Sequence, residues 1–168
     1  MMKQLLIVTL TLLLISCTPG NTTIGPRTEE GWKNWEAQQE ELKKTWGDTP
    51  VYAYIQKLMD DLLAVNARVV FSEDFSFEEE SEELNALKQL YQDMQIDETV
   101  SLNEFRDRLA DSGMRRLVGG PADLAAIEET DQGVYTAALE YNASVDALMR
   151  VSLTIRENGD GTFRTELP

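Results

Sequence analysis

The chain has 168 residues, with 30 acidic side chains against 15 basic ones, a formal net charge of −15, and no histidine. A surface of that charge is repelled by nucleic acid and by anionic lipid head groups, and it attracts cationic partners. Without histidine, Ser-His-Asp and Cys-His nucleophilic catalysis and histidine zinc sites are excluded. No Walker-type phosphate loop occurs, so the residues point to no cofactor, no metal and no enzymatic activity.

Leu5 to Ile15 is apolar except for Thr9 and Thr11 and begins behind Lys3. Eleven residues are too few to span a bilayer, which takes about 20, but they have the length of a signal-peptide core. The segment ends in Leu14-Ile15-Ser16-Cys17, which resembles the lipobox of bacterial lipoproteins. The resemblance implies cleavage before Cys17 and acyl chains on the thiol and new amino group of Cys17. Because Thr18 stands where an aspartate retains lipoproteins in the inner membrane, it also implies sorting to the outer membrane, facing the periplasm. Cys17 is the only cysteine, so the domain beyond it must hold by packing without a disulfide.

Thr18 to Arg27 contains two prolines and two glycines and reads as a tether. Ten such residues span roughly 17 Å root-mean-square and at most about 36 Å, which keeps the domain near the membrane. The organisation is therefore a removed signal peptide (1–16), a lipidated cysteine and tether (17–27), and one acidic α+β domain (28–168).

A first helix is expected from an N-cap at Thr28 to a stop at Gly47. Along it Trp32, Trp35, Gln39, Leu42 and Trp46 recur at alternating spacings of three and four, placing all three tryptophans on one stripe. That stripe is either the face that packs on the domain or a surface for a partner or the lipid interface, the last weakened by Glu36, Glu40 and Glu41. Thr49-Pro50 is a second helix start, N-cap followed by proline in the first turn. Val51, Ile55, Leu58, Leu62 and Val65 form its inner face, and the helix is expected to run to about Arg68. Val69-Val70-Phe71 fits a short strand or a helix end. Asp60 and Asp61, adjacent and about a hundred degrees apart around a helix, do not form a carboxylate pair.

Seven acids lie between Glu73 and Glu83, interleaved with Phe75 and Phe77. The run, Glu78, Glu79 and Glu80 included, reads as a solvated loop or helix start, or as a docking surface for a basic partner or a loose divalent-cation site. Ser81 to Met94 carries Leu84, Leu87, Leu90, Tyr91 and Met94 at helical spacing. Ser101-Leu102-Asn103-Glu104 has the capping-box pattern and predicts a short helix to about Asp111. Arg115-Arg116 before Gly119-Gly120 fits either an anion-holding backbone nest or a solvated turn.

The last third changes period. Leu124–Glu129, Val134–Tyr141, Ala147–Arg156 and Thr162–Leu167 read as four strands. The third alternates Ala147, Met149, Val151, Leu153 and Ile155 with mostly polar residues. Asn158-Gly159-Asp160-Gly161 is a hairpin turn rather than a calcium loop, because an EF-hand register would place Arg156 and Leu167 at ligand positions. Helices first and a meander last give an α+β fold, N-terminal helices on a four-stranded antiparallel sheet. That order is similar to the NTF2-like superfamily, whose bent sheet cups helices and often encloses a pocket.

Three functions fit these readings. The first is a non-catalytic, membrane-anchored envelope lipoprotein that binds another envelope component, with Trp32, Trp35, Trp46, Glu78, Glu79 and Glu80 as candidate contacts. The second is an immunity or inhibitor lipoprotein that neutralises a basic toxin or hydrolase by charge. The third is a small-ligand carrier with a pocket between helices and sheet.

Overall fold

A computed structural model describes residues 29–96, 99–144 and 147–167. The signal-peptide, Cys17, tether and Thr28 readings lie outside the described residues. The fold is the expected α+β arrangement: five helices followed by an antiparallel sheet in the order β1-β2-β3-β4.

Helix α1 (Glu29–Trp46) ends at Gly47, whose amide donates to Lys43 O at 2.9 Å. A Cβ on Gly47 would lie 2.3 Å from that same carbonyl, so only glycine ends the helix this way. Helix α2 (Pro50–Ala64) starts at Thr49, whose hydroxyl oxygen accepts from Tyr52 N, and proline occupies the first turn. It stops earlier than its apolar periodicity suggests. Val65 is extended, and Asn66 caps a new short helix, α3 (Ala67–Val70), by accepting from the Arg68 and Val69 amides. The Leu62 carbonyl freed at the α2 end accepts from Gly119 N at 2.8 Å. Val69 and Val70 are therefore helical, not strand.

Helix α4 (Glu82–Asp93) is capped by Ser81 and α5 (Leu102–Asp111) by Ser101, which accepts from Glu104 N at 3.2 Å. Only half of the capping box is used, because the Glu104 carboxylate pairs with Arg108. A 3-10 turn, Gly113–Arg116, then leads to the sheet. There Gly119, at φ +70°, and Gly120 spend their amides on Leu62 O and Leu117 O, and Arg115 lies over the Phe71 ring. The pair of glycines thus closes a packing contact and leaves no anion nest.

The strands are β1 (Asp123–Asp131), β2 (Val134–Ser144), β3 (Ala147–Glu157) and β4 (Phe163–Glu166). Ile55, Leu58 and Leu62 of α2 and Leu87 and Leu90 of α4 are buried with Phe105 and Leu109 of α5 and with Ala137, Leu139, Leu153, Ile155 and Phe163 of the sheet. Each fully buried leucine or isoleucine here contributes about 2 kcal/mol of apolar transfer. The alternation in β3 is buried only over Leu153 and Ile155, whereas Ala147, Met149 and Val151 are half-buried.

The two sheet edges are treated differently. At β1, α1 lies alongside and the side-chain amides of Gln38 and Gln39 donate to Ala125 O at 2.6 Å and Leu124 O at 2.8 Å, next to a register shift between Leu124 and Ala126. Among the described residues β4 is the other edge of the sheet. There Tyr54 of α2 reaches beneath the strand, its hydroxyl bonded to Thr165 Oγ1 at 2.8 Å and its ring 5.6 Å from that of Phe163. Burial, only partly offset by the Thr165 hydrogen bonds, pushes the Tyr54 phenol up to about 12.

Candidate functional site

The structure separates the tryptophans that one stripe joins in sequence. Trp46, at the end of α1, packs edge-on against Tyr135 of β2 at 6.1 Å between ring centres and lies half-buried against the core. Trp32, two turns or more away from the core contacts of Leu42, is 49% exposed and meets Trp35 edge-on at 5.6 Å. Trp35 is half-buried, and its Nε1 is buried with no hydrogen-bond acceptor among the described residues. So the packing reading holds for Trp46, while Trp32 offers its ring to solvent near the start of the described chain.

Glu78, Glu79 and Glu80 are exposed, on the segment between α3 and α4. The segment is pinned by a residue that sequence reasoning missed. Arg106 of α5 donates through Nε to Val70 O and through Nη2 to Ser72 O at 2.6 Å. The same guanidinium lies 5.3 and 5.8 Å from the ring centres of Phe75 and Phe77, which meet edge-on. A planar cation serving two carbonyls and two rings fixes the backbone from which the acids project. Glu80 pairs with Lys88, and Glu78 N is bonded to Ser76 Oγ.

A carboxylate pair that adjacency in sequence did not suggest is assembled by packing α2 on α4. Asp61 and Asp93 share a hydrogen bond, and Lys57 Nζ reaches both, Asp61 at 3.0 Å. Burial first, then the hydrogen bond and charge of Asp93, raise the Asp61 carboxyl to about 6 against the pull of Lys57. Burial would raise Asp93 as well, but hydrogen bonds from Asp61, Lys57 and Gln89, the last at 2.7 Å, outweigh it and hold that carboxyl low. Below about pH 6 one proton is therefore held between the two carboxylates. Asp61 keeps company with Lys57 one turn before it, but nothing in the sequence indicates that Asp93 completes the set.

A cleft of about 820 Å³ runs along β4. One wall is the strand itself, with Arg164, Thr165, Glu166 and Leu167. The other comprises Met94 to Ile96, Val100, and the end of α5 at Arg108, Asp111 and Ser112. Tyr91 ties this second wall down by donating to Val100 O. Among the described residues the cleft is lined by two arginines, Arg108 and Arg164, and two acids, Asp111 and Glu166. The space beneath the sheet is occupied by side chains: Leu139 is fully buried, and Tyr135 packs between Trp46 and Phe163. Among the described residues no group of three or more acids or other ligands could hold a metal, and no helix is long and apolar enough to cross a membrane.

Comparison with family models, with curated proteins and with solved structures returned no match.

Proposed function

We propose that the chain is a non-catalytic lipoprotein of the cell envelope, held at a membrane through acyl chains on Cys17, and that its acidic domain binds another envelope protein. The observation that carries this reading is the exposed Trp32 ring resting on Trp35 at the membrane-proximal end of α1. A large ring with an apolar body and a polar edge is the kind of side chain that anchors protein contacts. Neighbouring Glu29, Glu30 and Glu36 are exposed and argue for a protein surface over an anionic bilayer.

A second reading is favoured by the fixed acidic segment. Glu78, Glu79 and Glu80, projecting from backbone pinned by Arg106, suit an immunity or inhibitor lipoprotein that meets a basic toxin or hydrolase.

A photo-crosslinking residue in place of Trp32, Glu79 or Trp46 in intact cells tests both. Partner adducts from position 32 but not from 46 support the first reading. Adducts from 79 alone, with binding that weakens in salt, support the second. Absence of adducts at 32 and 79 under several growth conditions would sink both. The anchor is tested separately by Cys17→Ser, which should release the chain into the soluble fraction; a variant that stays membrane-bound refutes lipidation at that residue.

A further inference from the structure

Backbone groups alternate sides along a strand, and the sheet register fixes which side each residue of β1 faces. Glu157 N donates to Gly133 O, so β3 residues 155 and 153 bond to Tyr135 and Ala137, which stand opposite them. Thr136 and Ala138 then turn to β1, where their partners are Glu128 and Ala126. Ile127 and Glu129 therefore turn their amides and carbonyls away from the sheet. Ala125 does the same, and its carbonyl takes the Gln38 amide. Gln38 and Gln39 serve only the start of this nine-residue strand, at Ala125 O and Leu124 O. Further along, no side chain or loop among the described residues bonds to the backbone of Ile127 or Glu129; Gly133 N reaches only the Glu129 side chain.

A groove of about 280 Å³ on α1 adjoins this stretch, lined by Gln38, Glu41, Leu42, Thr45 and Trp46. Gln38 belongs to both the groove and the edge. The volume is below the roughly 300 to 1,000 Å³ of a small-molecule site and suits one or two side chains. Ile127 is buried in the core together with Leu42, so a residue opposite Ile127 on an added strand would face the same way, toward α1. Its neighbours on that strand would face the outer surface, where Ala126 and Glu128 are exposed. The charges here are mostly acidic: Glu128, Glu129 and Asp131 on the strand and Glu41 on the groove, with Lys44 at 3.9 Å from Glu41. A second β1 laid alongside would set acid against acid, whereas a basic segment is complementary.

We infer that Ala126 to Glu129 of β1 is a docking edge, which takes an extended segment of another protein, alternately apolar and basic, as a fifth strand. The Ile127 and Glu129 backbone groups supply the ladder. An apolar side chain opposite Ile127 enters the α1 groove, and basic side chains flanking it lie beside Glu128. One short strand should bind with a dissociation constant on the order of 100 µM. This inference stands apart from the proposed function and does not depend on Cys17, Trp32 or Glu79.

Residue-resolved amide exchange by NMR tests it in the full chain in mild detergent at physiological salt. The probe is the peptide Lys-Val-Lys-Val-Lys-Val-Lys, with Glu-Val-Glu-Val-Glu-Val-Glu as its counterpart. In the free chain the Ile127 and Glu129 amides should exchange about tenfold or more faster than those of Ala126 and Glu128. Excess basic peptide should slow Ile127 and Glu129 to the rate of their neighbours, and the acidic peptide should not. Glu129→Pro removes an outward amide but no ladder bond, so it should keep the fold and lose the peptide. Glu128→Lys should weaken the basic peptide about tenfold and admit the acidic one. A free chain already protected at Ile127 and Glu129, whether by its own N-terminal residues or by a second copy, would overturn the inference. So would basic peptide that binds while those two amides stay fast, or Glu128→Lys without the exchange of preference.

Discussion

Replacing Asp61 by asparagine should remove the pH dependence that the shared proton imposes on stability. In the folded chain the Asp61 carboxyl is raised to about 6, against 3.8 for an ordinary aspartate. A raised carboxyl binds its proton more tightly folded than unfolded, so stability is gained as pH falls through 6 and is lost as pH rises through it. The shift would amount to about 3 kcal/mol if fully expressed. Less than half of that falls between pH 5 and 7.5, because the change runs from the unfolded value to the folded one, and the pair lies near the surface under a half-exposed lysine, so screening leaves less than about 1 kcal/mol in that range. Asp93 acts in the opposite sense: its carboxyl is held low, and the stability it contributes disappears only as pH falls below the usual aspartate range. Taking these two groups together, wild-type stability should therefore peak near pH 4, the ordinary aspartate value. Asparagine can still donate to Asp93 and carries no charge to repel it, so D61N should be flat from pH 5 to 7.5 where wild type falls. Urea unfolding followed by tryptophan fluorescence at several pH values measures both curves. Parallel curves, with D61N displaced downward by a constant amount, would mean that the Lys57 ion pair and not the shared proton dominates, and the reasoning would be refuted.

Arg106→Ala should cost about 2 to 3 kcal/mol, because Val70 O and Ser72 O lose a charged donor. Hydrogen exchange of residues 71–80 should rise in that variant, and lysine at 106, which lacks the fork, should restore less than half. Gly119→Ala should destabilise by about 2 kcal/mol, since the residue sits at φ +70° and its Cβ would lie 2.8 Å from Val65 O; an unchanged melting temperature would refute the close approach. Trp46→Ala should cost about 3 kcal/mol and Trp32→Ala less than about 0.5 kcal/mol, a contrast that denaturant titration reads directly.

Where the chain's own neighbours decide structure, the sequence was legible. Thr49-Pro50, Ser81 and Ser101 start helices because their side chains reach amides two or three residues on, a local event. The four strands are legible from period and from turns at Gly133 and Gly161, both at positive φ. The end of α2 was not, because its apolar face runs on into Val65 while the stop comes from Asn66 and from the distant Gly119. The same limit applies to function. The tryptophan stripe is a sequence pattern, but which tryptophan stays exposed depends on how far β1 and β2 extend along α1. Arg106, Asp61 with Asp93, and the β4 cleft are all made by elements meeting across long separations, and no spacing encodes them.

The contrast between the two sheet edges follows from the same physics. An edge strand presents unpaired backbone groups and must be covered, charged or paired. At β1 the chain covers the start of the strand with two glutamines, residues that donate without bringing charge onto an already acidic surface. At β4 it uses a short strand, one buried phenol and alternating charges.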